Sequence, residues 1–267
     1  MTNSLKKTAA LAAVLLALSV ANGQAAVITT ITSNGYTFTN FDPTLSSAAV
    51  GSNANGISNS GQVAVTAVDA NNASTFANFS GLPGSLAALN TGGGQIAFGI
   101  NGAGTVVGGN GTNAFVLPKG GSLQTLAVPS GAINAFGIND AGAIVGQFTS
   151  ATGTTPGFVL PSSSSINFTT INAPAGPNVV NAQGINNGGR VVGFYLGTDG
   201  QVHGFTTVAT GPAGGTLTGT AIADPVIPPV AGEPGATFVF SQILGINDSG
   251  LAVGYYGDST TSQHGFL

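Results

Sequence analysis

The sequence predicts an all-β fold, a β-propeller of about five four-stranded blades, and three observations predict it. A glycine-led hexapeptide recurs five times, as "GISNSG" at 56, "GINGAG" at 99, "GINDAG" at 137, "GINNGG" at 184 and "GINDSG" at 245. Each copy runs into a short aliphatic segment: "QVAV", "TVVG", "AIVG", "RVVG" or "LAVG". An aromatic follows ~20 residues after the opening glycine, at Phe76, Phe115, Phe158, Phe205 and Phe266. With 267 residues, the chain is sized for one large all-β domain, read as a single repeat domain over 27–267. Its 43 glycines and 4% charge would suit a low-complexity chain, but regular Ile, Val and Phe positions supply a core.

The first 26 residues read as a secretory signal. Lys6 and Lys7 form the charged region, "TAALAAVLLALSVA" the apolar stretch, and "NGQAA" offers cleavage after Ala25 or Ala26. The apolar run is short of the ~20 residues that a bilayer span needs. The expected mature chain starts between Gln24 and Val27, has no membrane span, and is secreted or held at the cell surface.

Next comes "YTFTNFDP" (36–43), which looks like the fourth strand of a later copy, "INFTTINAP" (166–174). The last copy stops at Leu267, after its third strand. The N-terminal strand is therefore expected to complete the final blade and close the ring, removing exposed edges. A piece of a longer chain is the other reading of that missing strand.

Each hexapeptide reads as a hairpin turn. In "AFGINDAGAIVG" the strand carrying Ile138 stops at Asn139-Asp140-Ala141-Gly142 and an aliphatic strand returns. Asn at the first turn position bonds its own backbone, and Gly at the fourth accepts positive φ. The third strand carries the aromatic, as in "NAFVLP" (113–118), "PGFVLP" (156–161) and "HGFTTV" (203–208). A fourth follows, as in "LQTLAVP" (123–129), and in the fourth copy around 217–224 within a long Pro-rich insertion. Four short strands per ~45 residues match a propeller blade. The partial dinucleotide fingerprint "GAGTVVG" (102–108) is followed by a strand rather than a helix, which argues against a nucleotide cofactor.

The pattern resembles the extracellular HAF repeat family, called after a His-Ala-Phe tripeptide beyond a "GINDxGxVVG" hairpin. Here the tripeptide reads His203-Gly204-Phe205, His264-Gly265-Phe266, Asn113-Ala114-Phe115 and Pro156-Gly157-Phe158. The resemblance covers roughly 36–267; the first copy departs, with Ser58 for Asn and Val65 for the last Gly. It implies an exported bacterial protein and a propeller, and it supplies no catalytic residues.

Most chemistry is hard to place. Beyond Lys6 and Lys7 the only strong cations are Lys119 and Arg190, against eight carboxylates, which makes nucleic acid a poor partner. The absence of cysteine rules out disulfides and thiolate chemistry. His203 and His264 hold equivalent places one copy apart, and a structural role is expected for both. No "G-x-S-x-G" elbow and no "DxDxDG" calcium loop occurs. No catalytic residue and no cofactor is assigned; calcium on loop oxygens stays open.

The expected function is non-catalytic binding of an extracellular glycan or protein by a monomer. The alternatives are a secreted polysaccharide hydrolase or lyase and a purely structural matrix protein. Candidate binding residues lie on the variable loops after the second and fourth strands. Phe148, Tyr195 and Tyr256 occupy equivalent places leading into that rim and would stack on sugar rings, with Asp199 and Asp258 bonding hydroxyls. Packing between blades is the competing role of these aromatics.

Overall fold

The computed structural model describes residues 14–15, 27–33, 36–42, 49–69, 72–91, 94–126, 131–162, 168–209, 215–224, 235–260 and 263–267. Apart from Val14–Leu15, the expected signal lies outside them, as do 127–130, 163–167 and 225–234. The described residues are all β, with no helix.

A short N-terminal sheet holds β1 (Val14–Leu15), β2 (Val27–Ser33) and β3 (Tyr36–Asp42). Five β units follow, the first three of them four-stranded and antiparallel. Unit 1 is β4 (Ala49–Ile57), β5 (Val63–Asp69), β6 (Asn72–Gly81) and β7 (Ala87–Leu89). Unit 2 is β8 (Ile96–Ile100), β9 (Val106–Gly109), β10 (Ala114–Leu117) and β11 (Gln124–Thr125). Unit 3 is β12 (Ala132–Ile138), β13 (Ile144–Phe148), β14 (Gly157–Leu160) and β15 (Thr169–Asn172). Unit 4 begins with β16 (Val180–Ile185), β17 (Arg190–Leu196) and β18 (Val202–Val208), followed by β19 (Thr216–Thr218) and β20 (Thr220–Ala221). Unit 5 is β21 (Phe238–Ile246), β22 (Ala252–Asp258) and β23 (Gln263–Phe266). Units 2 and 3 are joined as one sheet by the single pair Asn134↔Gly109, and units 4 and 5 by Val202↔Phe240.

The middle strands are apolar on both faces because each unit packs against the next. β9, β10 and β14 are buried at every position, and such strands read as unbroken apolar runs. Ala64 of unit 1 packs with Ala97, Val106 and Phe115 of unit 2. Val107 and Val116 of unit 2 pack with Ile138, Ile144 and Phe158 of unit 3. Val145 and Ile171 of unit 3 pack with Val180, Val191 and Phe205 of unit 4. Stacking of like units against like is how a repeat chain buries faces that no single unit could bury alone.

Unit 5 and unit 1 break this series. Val107, Val145 and Val192 are buried, but the equivalent Val253 is 45% exposed, with Leu244 and Leu251 also exposed. On unit 1, Ile57 is 73% exposed where Ile100, Ile138 and Ile185 are buried.

Three expectations need correction. The N-terminal strand was expected to complete unit 5, yet β3 pairs with β2 from Val27↔Asp42 to Ser33↔Tyr36. The only partner of β23 among the described residues is β22. The reason is local: Asn34-Gly35 separates two seven-residue strands, and this short-loop hairpin signal outweighs a distant pairing. In unit 1 the aromatic facing the second strand at the repeat position is Phe79, paired with Val65, not Phe76. The ten-residue β6 lengthens that hairpin and displaces the simple spacing. The expected single fourth strand of unit 4 is divided at Gly219: β19 pairs in parallel with β15 of unit 3, and β20 pairs with β18. Gly219 N–H donates to the Asn172 carbonyl (3.0 Å), and a Cβ there would stand 2.8 Å from the Phe205 ring.

Candidate functional site

The recurrent hexapeptides form hairpin turns that meet at one place. Asn139 closes its own turn: its backbone N–H bonds the Ala143 carbonyl (3.0 Å) and its Oδ1 accepts from Ala143 N–H (2.9 Å). Its Nδ2 then donates to the Asn186 carbonyl of the next unit (3.1 Å). Asn101 repeats this toward Asn139 (3.1 Å), and Asn186 toward Asn247 (3.0 Å). A buried amide bonded through both its oxygen and its nitrogen shapes a turn and locks two units together. In unit 1, Ser58 closes the turn through its Oγ to Gln62 N–H (3.1 Å), and the Gln62 amide supplies the link to unit 2 by donating to the Gly102 carbonyl (3.2 Å).

The next turn position makes a second ring of bonds. Gly102 N–H donates to Asp140 Oδ1 (2.6 Å), Asp140 N–H to Asn187 Oδ1 (2.8 Å), and Asn187 N–H to Asp248 Oδ1 (2.8 Å). The Asn187 side-chain amide also reaches Asp140 and Asp248 (both 2.9 Å), and that of Asn59 reaches the same two carboxylates (3.0 and 3.3 Å). Turns separated by as many as 189 residues therefore converge. The bond from Gly102 N–H, followed by that from Asn187, holds the Asp140 carboxyl below its ordinary range. All five turns line a small recess of about 90 Å³.

The glycines serve the same contacts. A Cβ on Gly137 would lie 2.9 Å from the Gln183 carbonyl and 3.3 Å from Gly184 Cα, so the opening glycine lets adjacent inner strands touch. Gly142 sits at φ 83°, the left-handed turn position. Gly146, Gly193 and Gly254 lie under the rings of Phe158, Phe205 and Phe266, opposite them in register. At these positions the glycines of the recurring motif serve the scaffold.

The sequence-predicted aromatics are placed in the packing. Tyr195 is 7% exposed and Tyr256 9%, and Phe148 is buried against Phe168 with ring centroids 5.1 Å apart. Tyr256 stacks on His264 (4.9 Å) and Tyr195 tilts against His203 (5.7 Å), each pair facing across strands two and three. Buried against these partners, the rings do not form the open platform expected for sugar stacking. Asp258 is also buried, accepting from Thr260 N–H (2.9 Å) and lying 3.0 Å from His264 Nε2. Asp199 alone of the candidate residues is well exposed, with half its side chain in solvent.

Both histidines hold carboxylates. His203 Nδ1 lies 2.8 Å from Asp224 Oδ2, and its Nε2 lies 3.0 Å from Asp199 Oδ1. Asp224 also accepts from Ser241 Oγ of unit 5 (2.9 Å), and the ring of His203 stacks on Phe238 (5.5 Å). Asp199 and Asp224 face opposite ring nitrogens, so they clamp the imidazole instead of converging on a common point. Burial alone pulls the His203 pKa down, but bonding to Asp199 and Asp224 outweighs it and raises the value above 6.5. Bonding to His203 in turn lowers Asp199 below 3.8.

A raised histidine stabilises the fold fully below pH 6.5, and this is lost as pH rises through the folded value. A depressed carboxylate contributes above pH 3.8, and this is lost as pH falls through its folded value. The clamp therefore works best between these limits. The melting temperature is expected to decline on the alkaline side of this window, and His203→Gln is expected to flatten that decline. An unaltered profile in the variant would show that the clamp adds nothing.

A groove of about 740 Å³ lies between units 1 and 2. Ser60, Gln62, Ser80, Ser85 and Asn90 give it hydroxyls and amides, Leu82 and Leu89 an apolar wall, and Lys119 a cation. Its volume falls within the ~300–1,000 Å³ of small-molecule sites. In the sequence Lys119 stands out only as one of few cations. The available signal was the repeated Leu-Pro after the third strand: Leu82-Pro83-Gly84, Leu117-Pro118-Lys119 and Leu160-Pro161-Ser162, with a variable third residue.

Compared with known proteins, the chain matches no family model and no curated protein. No helix among the described residues is long and apolar enough to cross a membrane.

Proposed function

We propose that this chain is an exported repeat protein of the HAF type, a propeller-like ring of about five units that binds an extracellular glycan. The observation that carries this reading is the division of labour between repeated and variable residues. The recurring Asn, Gly and Phe positions join strands and units, as Asn139, Gly137 and Phe158 do. The positions that vary between units are left to loops, and one pair of loops borders a groove rich in hydroxyls and amides. Variable loops on a rigid frame are the usual seat of recognition.

Secreted hydrolysis or lysis is the second reading, favoured by the His203 clamp, in which Asp199 and Asp224 would tune an imidazole for acid–base work. One experiment separates the two. The protein beginning at Val27 is screened on a glycan array, and each bound glycan is then incubated with it and checked for chain cleavage. Retention of glycans without turnover supports binding; cleavage that His203→Gln abolishes supports the enzyme. Failure to retain any glycan overturns the proposed function.

A further inference from the structure

We infer that the groove between units 1 and 2 is a subsite for an acidic sugar, with Lys119 receiving the carboxylate of a uronic acid residue. The inference rests on the glycan-binding reading and names the ligand class.

Three observations carry it. Lys119 is the only lysine after Lys7, in a chain of net charge −4. It stands in a cavity with no carboxylate in its lining, and among the described residues it makes no ion pair. A cation in a cleft without competing anions attracts a negative group more strongly than the same cation on an open acidic surface.

The cation is also held by a built loop. Leu117 is buried and Pro118 fixes its own φ. Gly121 N–H closes the turn on the Pro118 carbonyl (2.9 Å), with Gly120 at φ 70°. The same Leu-Pro lead carries Gly84 in unit 1 and Ser162 in unit 3, so the charge occupies the variable place of a repeated loop.

Near it, with both side chains beside Gly104, the Gln62 amide is oriented by bonds to Ser60 Oγ (2.9 Å) and the Gly102 carbonyl (3.2 Å). Ser80 and Ser85 add hydroxyls to the lining, together with exposed Leu82. Neutral donors and acceptors beside an apolar wall match a pyranose, whose faces are apolar and whose rim is hydroxylated. A single ammonium matches a single carboxylate per sugar. An acidic peptide shares the charge but not the ring of hydroxyls.

The test measures binding of the protein beginning at Val27 to oligogalacturonate, to the neutral galactose oligomer of equal length, and to an oligoglutamate. Oligogalacturonate is expected to bind best, to weaken about tenfold in Lys119→Gln, to recover in Lys119→Arg, and to weaken with added salt. Less than about a twofold change in Lys119→Gln overturns the inference. Equal binding of oligoglutamate overturns the sugar assignment. Neutral oligomers that bind as well, indifferent to Lys119→Gln, also overturn it while leaving the glycan reading standing. Binding of no glycan at all overturns both.

Discussion

Gly193→Ala is expected to destabilise the protein by more than about 4 kcal/mol, or to prevent folding. A Cβ at Gly193 would overlap the Asn181 carbonyl oxygen of β16 and stand 2.9 Å from the Phe205 ring of β18. Neither neighbour can yield. The carbonyl belongs to the inner strand, and the Phe205 side chain is fully buried between units 3 and 4. Overpacking that displaces backbone costs more than the usual ~1–3 kcal/mol of an inserted methylene. Gly200→Ala is the control: unlike Gly193 it has positive φ, but no atom lies near its Cβ, so only the ~1 kcal/mol backbone penalty is expected. Urea unfolding followed by circular dichroism measures both. A loss below about 1.5 kcal/mol at Gly193 would mean the strand spacing relaxes around a methyl group.

Phe205→Ala is expected to cost about 3–5 kcal/mol, and Phe266→Ala less than half of that, although the two residues hold the same place in the repeat. The ring of Phe205 is covered by its own unit and by Val145, Val159 and Ile171 of unit 3. Phe266 lies over Gly254 in register but is only half-buried, with exposed Val253 beside it. The cavity term needs surrounding atoms that stay in place, and unit 5 has them on one side only. Equal losses in the two variants would show that the outer face of unit 5 is covered in solution.

The difference between these two phenylalanines marks where sequence ceases to suffice. The unit itself was legible, because its determinants are local: an Asn and a Gly set each turn, and alternating or continuous apolar runs set the strands. The strand positions around Phe115, Phe158 and Phe205 follow directly from the repeat. The spacing failed at Phe79, where a longer hairpin moved the aromatic without changing the motif.

The candidate binding residues were less legible. Phe148, Tyr195 and Tyr256 looked like a surface row because they lead into variable loops, and that position says nothing about what lies across the sheet. Cross-strand histidines cover Tyr195 and Tyr256, Phe168 covers Phe148, and Phe148 and Tyr195 also join clusters that span two units. Lys119 is the converse case. Its loop is short and ordinary in sequence, and it becomes one wall of a groove only because unit 1 supplies the other.

By itself, then, the sequence determined the repeat, the hairpin turns and the all-β class, since each depends on φ preference, turn chemistry and apolar periodicity within a few dozen residues. The tertiary structure alone decided which repeat-equivalent residues are buried, which carboxylates meet a histidine, and which loops enclose a groove. Those outcomes depend on which unit stands beside which, and equivalent residues in a repeated chain acquire different surroundings wherever the series of neighbours is interrupted.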